Sequence, residues 1–147
     1  MELNKKILQE YKEAMINKEE IKKWVLNYLI SQMKYKEIEL GRELDEADII
    51  GVIRKEIKSR EESLEYLRKA GKIEDIDIEI KSIEILKTYL PQEMTETDLR
   101  QLIQKKIWFL GIQDLKKERG RLIASIMNEY KTVVDPKMMN DIINSMI

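Results

Sequence analysis

The sequence predicts an all-α protein, a four-helix N-terminal domain joined to a small three-helix C-terminal domain. Three observations carry this. Apolar residues recur every three or four positions almost throughout the 147 residues, as they do along one face of a helix. Glycine (5) and proline (2) are scarce, so turns are few and elements long. Aromatic residues make up 6%, too few for the strands of an all-β domain. A compact chain of this size buries roughly 70% of its unfolded surface, enough for a real core.

Leu3, Ile7, Leu8, Tyr11 and Met15 give a first helix one apolar face. Ile21, Trp24, Val25, Tyr28, Leu29 and Met33 do the same for a second, with Gly41 placed to stop it; Trp24 reads as core on this stripe. Asp45 then reads as an N-cap, with Asp48 at the third helical position and acids gathered in the first turn. The stripe Ile49, Val52, Ile53, Ile57, Leu64, Leu67 runs on toward Gly71, a helix of about 25 residues. Its middle, Lys58 to Ser63, is polar all round, so it is solvated on both sides or bridges to something else.

Between 73 and 90 two periods compete. Ile76-Asp77-Ile78-Glu79-Ile80 alternates like a half-buried strand. Ile73, Ile76, Ile80, Ile83, Leu86 and Leu90 form a longer helical series, and length and the lack of a partner strand favour helix. Pro91 ends it, because the residue before a proline is pushed out of the α region. Thr95-Glu96-Thr97-Asp98 is an acidic variant of the capping box and opens the next helix. The domains are therefore 1–91 and 95–147. In the second, Leu99, Leu102, Ile103, Ile107 and Leu110 make a helix closed by Gly111. Leu115, Leu122, Ile123, Ile126 and Met127 make another. Asp135 as N-cap and Pro136 at the first helical position open the last, with Met138, Met139, Ile142 and Ile143 inward. The eight methionines read as gap-fillers.

Absent residue types exclude much chemistry. Without cysteine there is no disulfide framework, zinc ribbon or thiol nucleophile. Without histidine there is no Ser-His-Asp triad and no usual transition-metal ligand. No metal, cofactor or catalytic residue is expected. No apolar run approaches the roughly 20 residues that span a bilayer, and the N-terminus lacks the pattern of a signal peptide. The expectation is a cytoplasmic protein without membrane contact.

Net charge is −1, so nothing global points to nucleic acid. Locally the balance is uneven. Between Arg100 and Lys131, Arg100, Lys105, Lys106, Lys116, Lys117, Arg119, Arg121 and Lys131 are opposed only by Asp114, Glu118 and Glu129. Residues 73–98 hold eight acids against two lysines. Mutual attraction, or simple solvation of both faces, is the plain explanation.

Arg54-Lys55-Glu56-Ile57-Lys58-Ser59-Arg60-Glu61-Glu62-Ser63-Leu64, then Lys69-Ala70-Gly71-Lys72, Glu84-Ile85-Leu86 and Tyr89-Leu90-Pro91-Gln92-Glu93-Met94, stand in the order and spacing of the GatB/YqeY family. The chain resembles that family over essentially its whole length. Members are small free-standing proteins related to the tail of the B subunit of the tRNA-dependent amidotransferase. The resemblance implies an all-α fold with a larger N-terminal helical domain and a three-helix C-terminal one. In the amidotransferase this tail holds tRNA while chemistry occurs elsewhere. The free-standing proteins are commonly credited with carbon–nitrogen ligase activity, glutamine being the amide donor.

Nothing in the residues supports independent catalysis. Glutamine hydrolysis needs an activated nucleophile, and the serines here sit singly within helical patterns. ATP-dependent carboxylate activation needs a phosphate loop, and no Gly-rich one exists. The expectation is a non-catalytic module that binds tRNA through backbone phosphates, beside an aminoacyl-tRNA synthetase or amidotransferase subunit. The resemblance implies as RNA-binding residues Lys116, Lys117, Arg119, Gly120 and Arg121, with Lys131 and Lys137 beyond them. Gly120 offers close approach to a phosphate or, preferably on sequence grounds, close packing of a neighbouring helix. Lys137 lies near a helix N-terminus, where backbone N–H groups also favour phosphate.

The family usually carries a glycine–basic–alanine turn where this chain has Thr132-Val133-Val134, which removes one phosphate contact and stiffens the loop. Arg54, Lys55, Lys58 and Arg60 offer a secondary basic surface, though alternation with Glu56, Glu61 and Glu62 reads first as a solvated salt-bridge face. Trp108-Phe109 and Trp24 could stack on unpaired bases. The alternative to RNA is a protein–protein adaptor using the interdomain cleft; a basic partner there would need Glu74, Asp75, Glu79 and Glu84. An amidotransferase-type ligase comes last.

Overall fold

The computed structural model describes residues 2–147, and among these all regular structure is helical. Seven helices follow in order: α1 (Glu2–Ile16), α2 (Glu20–Leu40), α3 (Glu46–Ala70), α4 (Ile73–Lys87), α5 (Glu96–Leu110), α6 (Leu115–Tyr130) and α7 (Pro136–Met146). They gather into two compact units, Met1–Leu90 and Pro91–Ile147.

The first unit closes around Ile7, Leu26, Leu29, Ile49, Ile53 and Leu86, all fully buried. Two glycines punctuate it. Gly41 and Gly71 sit at φ 68 and 69, left-handed positions where a residue without Cβ is unstrained, and each ends the preceding helix. The start of α3 is built as its sequence suggests. Asp45 accepts from the Asp48 N–H at 2.8 Å and Asp48 returns the bond from the Asp45 N–H at 3.0 Å. Arg42 adds two bonds to Asp48, at 2.6 and 3.3 Å. The hydrogen bond from Arg42, then that from the Asp45 backbone, brings the Asp48 carboxyl down to about 2.

The polar middle of α3 is a bridge. Arg60 donates to Glu56 Oε1 at 3.1 and 3.0 Å, and to Glu79 Oε1 of α4 at 2.9 Å. The Tyr28 ring of α2 lies 6.0 Å from the guanidinium carbon. Glu56 is 5% exposed, and its Oε2 has no hydrogen-bond partner among the described residues. Burial pushes its carboxyl up, and the Arg60 charge pulls it back in part. At the far end of α4, the buried Tyr89 hydroxyl donates to Glu10 of α1 at 2.8 Å, and Lys22 of α2 joins the same carboxylate at 3.3 Å. Burial, then this hydrogen bond, pushes the phenol upward.

Several expectations change. Leu8 and Met15 face solvent; the inner face of α1 is Leu3, Ile7, Tyr11 and Ala14. Trp24 is not core: it is 55% exposed, and Tyr28 50%. The reason is that α2 is apolar on two faces, and the inner one is Val25, Leu26, Leu29 and Met33. Residues 73–87 are helix rather than strand, but Ile73, at the start of α4, is exposed. The helix also stops before Pro91: after Lys87 the N–H groups of Thr88, Tyr89 and Leu90 bond three residues back, a tightened final turn.

The second unit closes around Leu99, Ile103, Leu122, Ile126, Met139 and Ile143. Thr95 caps α5 by accepting from the Asp98 N–H at 3.1 Å, and Gly111 ends it at φ 65. Asp135 and Pro136 open α7 as expected. Asp114, whose carboxylate accepts from the Lys117 N–H at 3.3 Å, is an N-cap for α6 that periodicity did not disclose. Val134 is fully buried and the Val133 carbonyl accepts from the Met94 N–H at 2.8 Å, so the loop before α7 is a structural tie.

The Arg60 bridge between α3 and α4 predicts its own pH signature. Replacing Arg60 by Ala leaves the Glu56 carboxylate buried without its counterion, a loss of about 3 kcal/mol at pH 7. Without Arg60 the folded-state affinity of Glu56 for a proton rises further. Stability relative to the parent therefore recovers as pH falls toward the unfolded carboxyl value, which urea unfolding at pH 7 and 4.5 will show. Asp48 has the opposite sign. Its contribution is present above the ordinary carboxyl value and lost as pH falls through about 2, so Arg42→Ala removes stability that urea unfolding will register in full at pH 6 and only in small part at pH 2.

Candidate functional site

The basic residues of the second unit divide into two populations. Arginines are largely engaged. Arg119 donates to Asn144 Oδ1 at 2.6 Å and to Asn140 Oδ1 at 2.9 Å, clamping α6 to α7. Asn140 in turn donates to the Pro136 carbonyl at 2.9 Å. Arg100 pairs with Glu96 at 3.2 Å, and Arg121 with Glu118 at 3.1 Å on the surface. Lys106 behaves like an arginine: it is largely buried against Glu129 at 2.6 Å. By contrast Lys105, Lys116, Lys117 and Lys131 are exposed, and carry no ion pair among the described residues.

At 100° per residue, Lys116, Lys117, Gly120, Arg121, Ala124, Asn128 and Lys131 share the outer face of α6, opposite its buried Leu122 and Ile126. All seven are exposed. The middle of this face is flat, being Gly120 and Ala124. A Cβ built on Gly120 meets no atom within 4 Å, which overturns the helix-packing reading of that glycine. Gly120 therefore costs α6 about 1 kcal/mol relative to Ala, with no return from packing.

Other expected site residues are dispersed. Arg119 belongs to the α6–α7 clamp and not to the open face. Lys137 lines a groove of about 460 Å³ between α5 and α7 with Glu96, Arg100, Asp135 and Asp141, an environment holding three carboxylates. In α3, Lys55 and Lys58 are exposed while Arg54 and Arg60 are half-buried, so the four do not make one surface. Glu79 is committed to Arg60, whereas Glu74, Asp75 and Glu84 face solvent. The Val133–Val134 loop points its chemistry inward. Trp108 and Phe109 are exposed to 83% and 76%, flanking Lys105 at helical spacings of three and four.

Three of the six serine hydroxyls are bonded to backbone. Ser31, Ser82 and Ser145 donate to carbonyls of their own helices at 3.1, 2.7 and 2.6 Å. Among the described residues no group of three or more carboxylates is placed to hold a metal ion, and no helix is long and apolar enough to cross a membrane.

The Yqey-like protein family matches residues 4–147. The chain belongs to this family. Two curated relatives share the name "Altered inheritance of mitochondria protein 41, mitochondrial". The one from Lachancea thermotolerans is 27% identical over 147 residues, covering 84% of this chain and 79% of that protein. The one from Vanderwaltozyma polyspora is 24% identical over 148 residues, covering 85% and 80%. Both names place those proteins in mitochondria, so the cytoplasmic expectation has no counterpart in them. For this Yqey-like chain, the Arg119 geometry makes a prediction separate from any ligand. Arg119→Gln lowers thermal stability by about 1–2 kcal/mol, while Lys117→Gln leaves it unchanged.

Proposed function

We propose that this Yqey-like protein is a non-catalytic RNA-binding module, with the outer face of α6 resting on the backbone phosphates of tRNA. The observation that carries the reading is Gly120. A glycine in the middle of an exposed helix face, serving no packing and surrounded by unpaired lysines, makes sense where another molecule approaches the helix backbone. Lys116, Lys117, Arg121 and Lys131 neutralise phosphates around that floor; the Arg121–Glu118 pair is exposed and exchanges at little cost. Recognition is electrostatic and shape-based, with no sequence read. Four such contacts give a log–log salt slope of about −3 to −4, hence modest affinity. That suits a module acting beside an aminoacyl-tRNA synthetase or an amidotransferase. In this reading 1–91 and 95–147 act as separate domains, and the second carries the RNA.

Gly120→Ala separates this function from folding. It raises the unfolding free energy by about 1 kcal/mol while weakening tRNA binding in a fluorescence-anisotropy titration. Lys116, Lys117 and Lys131 changed together to Gln flatten the salt slope by about 2–3 at unchanged stability. Equal tRNA affinity in parent and triple variant would remove the proposal.

A further inference from the structure

A helix that is apolar on two faces is expected to be covered on both. In α2 the inner face is covered and the outer one is largely open, Arg60 lying against one side of the Tyr28 ring: Trp24, Tyr28, Tyr35 and Ile38 are 55%, 50%, 68% and 78% exposed. With Ser31 they fall at 24, 28, 31, 35 and 38, alternating steps of four and three along the whole helix. That average of 3.5 is the seam of a coiled coil, so the shape it fits is another helix. We propose that this seam binds the same seam of a second copy, antiparallel, about a twofold axis near the middle of α2.

The side chains are self-complementary in that arrangement. Trp24 faces Tyr35 of the second copy, and Tyr28 faces the small Ser31, so large meets small at the centre. Ser31 brings no unsatisfied hydroxyl, since its Oγ already donates to the Asn27 carbonyl at 3.1 Å. At the edge Asn27 meets Lys34, and no like charges oppose each other there. The exposed parts of three rings and one isoleucine amount to about 450 Å² per copy. With the flanking stems a symmetric pair buries about 1,000 Å², the lower bound of a specific interface. The expected dimer is therefore weak and concentration-dependent.

Sedimentation equilibrium of the full chain from micromolar to high micromolar concentration tests this. The parent shifts toward dimer with rising concentration. Tyr35→Glu and Ile38→Lys, at positions too exposed to affect the fold, each weaken the dimer at least tenfold while leaving the unfolding transition in place. The chain has no cysteine, so single-cysteine variants report geometry directly. In the antiparallel pair two Ser31→Cys thiols lie about three residues, or 4.5 Å, apart along the axis, and two Ile38→Cys thiols about 25 Å apart. A short bis-maleimide couples the first and not the second. A monomer throughout, a dimer indifferent to Tyr35→Glu, or equal coupling at both positions would overturn the proposal.

Discussion

Burial of aliphatic stripes is the constraint on which both units depend. The chain has no disulfide, its aromatic content is low, and its surface ion pairs contribute little. Cohesion comes from isoleucine, leucine and valine presented at helical spacing and closed from solvent. Each helix must then be stopped where its stripe ends, and Gly41, Gly71 and Gly111 do this in the left-handed conformation. A residue with a Cβ at those positions would be strained, and the following helix would leave at a different angle. The remaining two glycines, Gly51 and Gly120, stand inside helices, where no such demand exists. Of these two, Gly120 is the one with Lys116, Lys117 and Arg121 beside it, whereas Gly51 has Ala47, Asp48, Arg54 and Lys55 as helical neighbours, and the cationic setting is what makes Gly120 the candidate.

Arginine and lysine have different tasks here. Guanidinium groups join elements: Arg42 holds the start of α3, Arg60 ties α3 to α4, and Arg119 ties α6 to α7. Their planar forks offer several directed donors at once, which an ammonium does not. Most lysines of the second unit are left on the outside as point charges. A charge count over Arg100–Lys131 merges the two populations and overstates the free positive surface. The type of cation was the signal that would have separated Arg119 from Lys116 and Lys117.

The caps at Asp45, Thr95 and Asp135, the glycine stops and the helical identity of residues 73–87 were legible in the sequence, because each rests on local chemistry within a few residues; the Asp114 cap was missed. The exposure of Trp24, the open space above Gly120 and the engagement of Arg119 were not. Each depends on which neighbour comes to lie against a helix, and periodicity reports a face without saying what covers it. In α2 two apolar faces compete, and Trp24 sits on the one that the first unit leaves open. The Thr132–Val134 departure was visible in sequence as a lost basic turn. Its structural meaning, a valine in the core and a carbonyl holding Met94, needed the fold.

The central claim is that the outer face of α6, and not the α6–α7 clamp, meets phosphate. Backbone amide shifts of the ¹⁵N-labelled protein during titration with tRNA at low salt test it most directly. The account predicts that shifts concentrate at Lys117, Gly120, Arg121 and Ala124, and fade as salt is raised, while Asn140 and Asn144 stay unmoved. Shifts centred on α7 or confined to the first unit, or none at all at low salt, would contradict it.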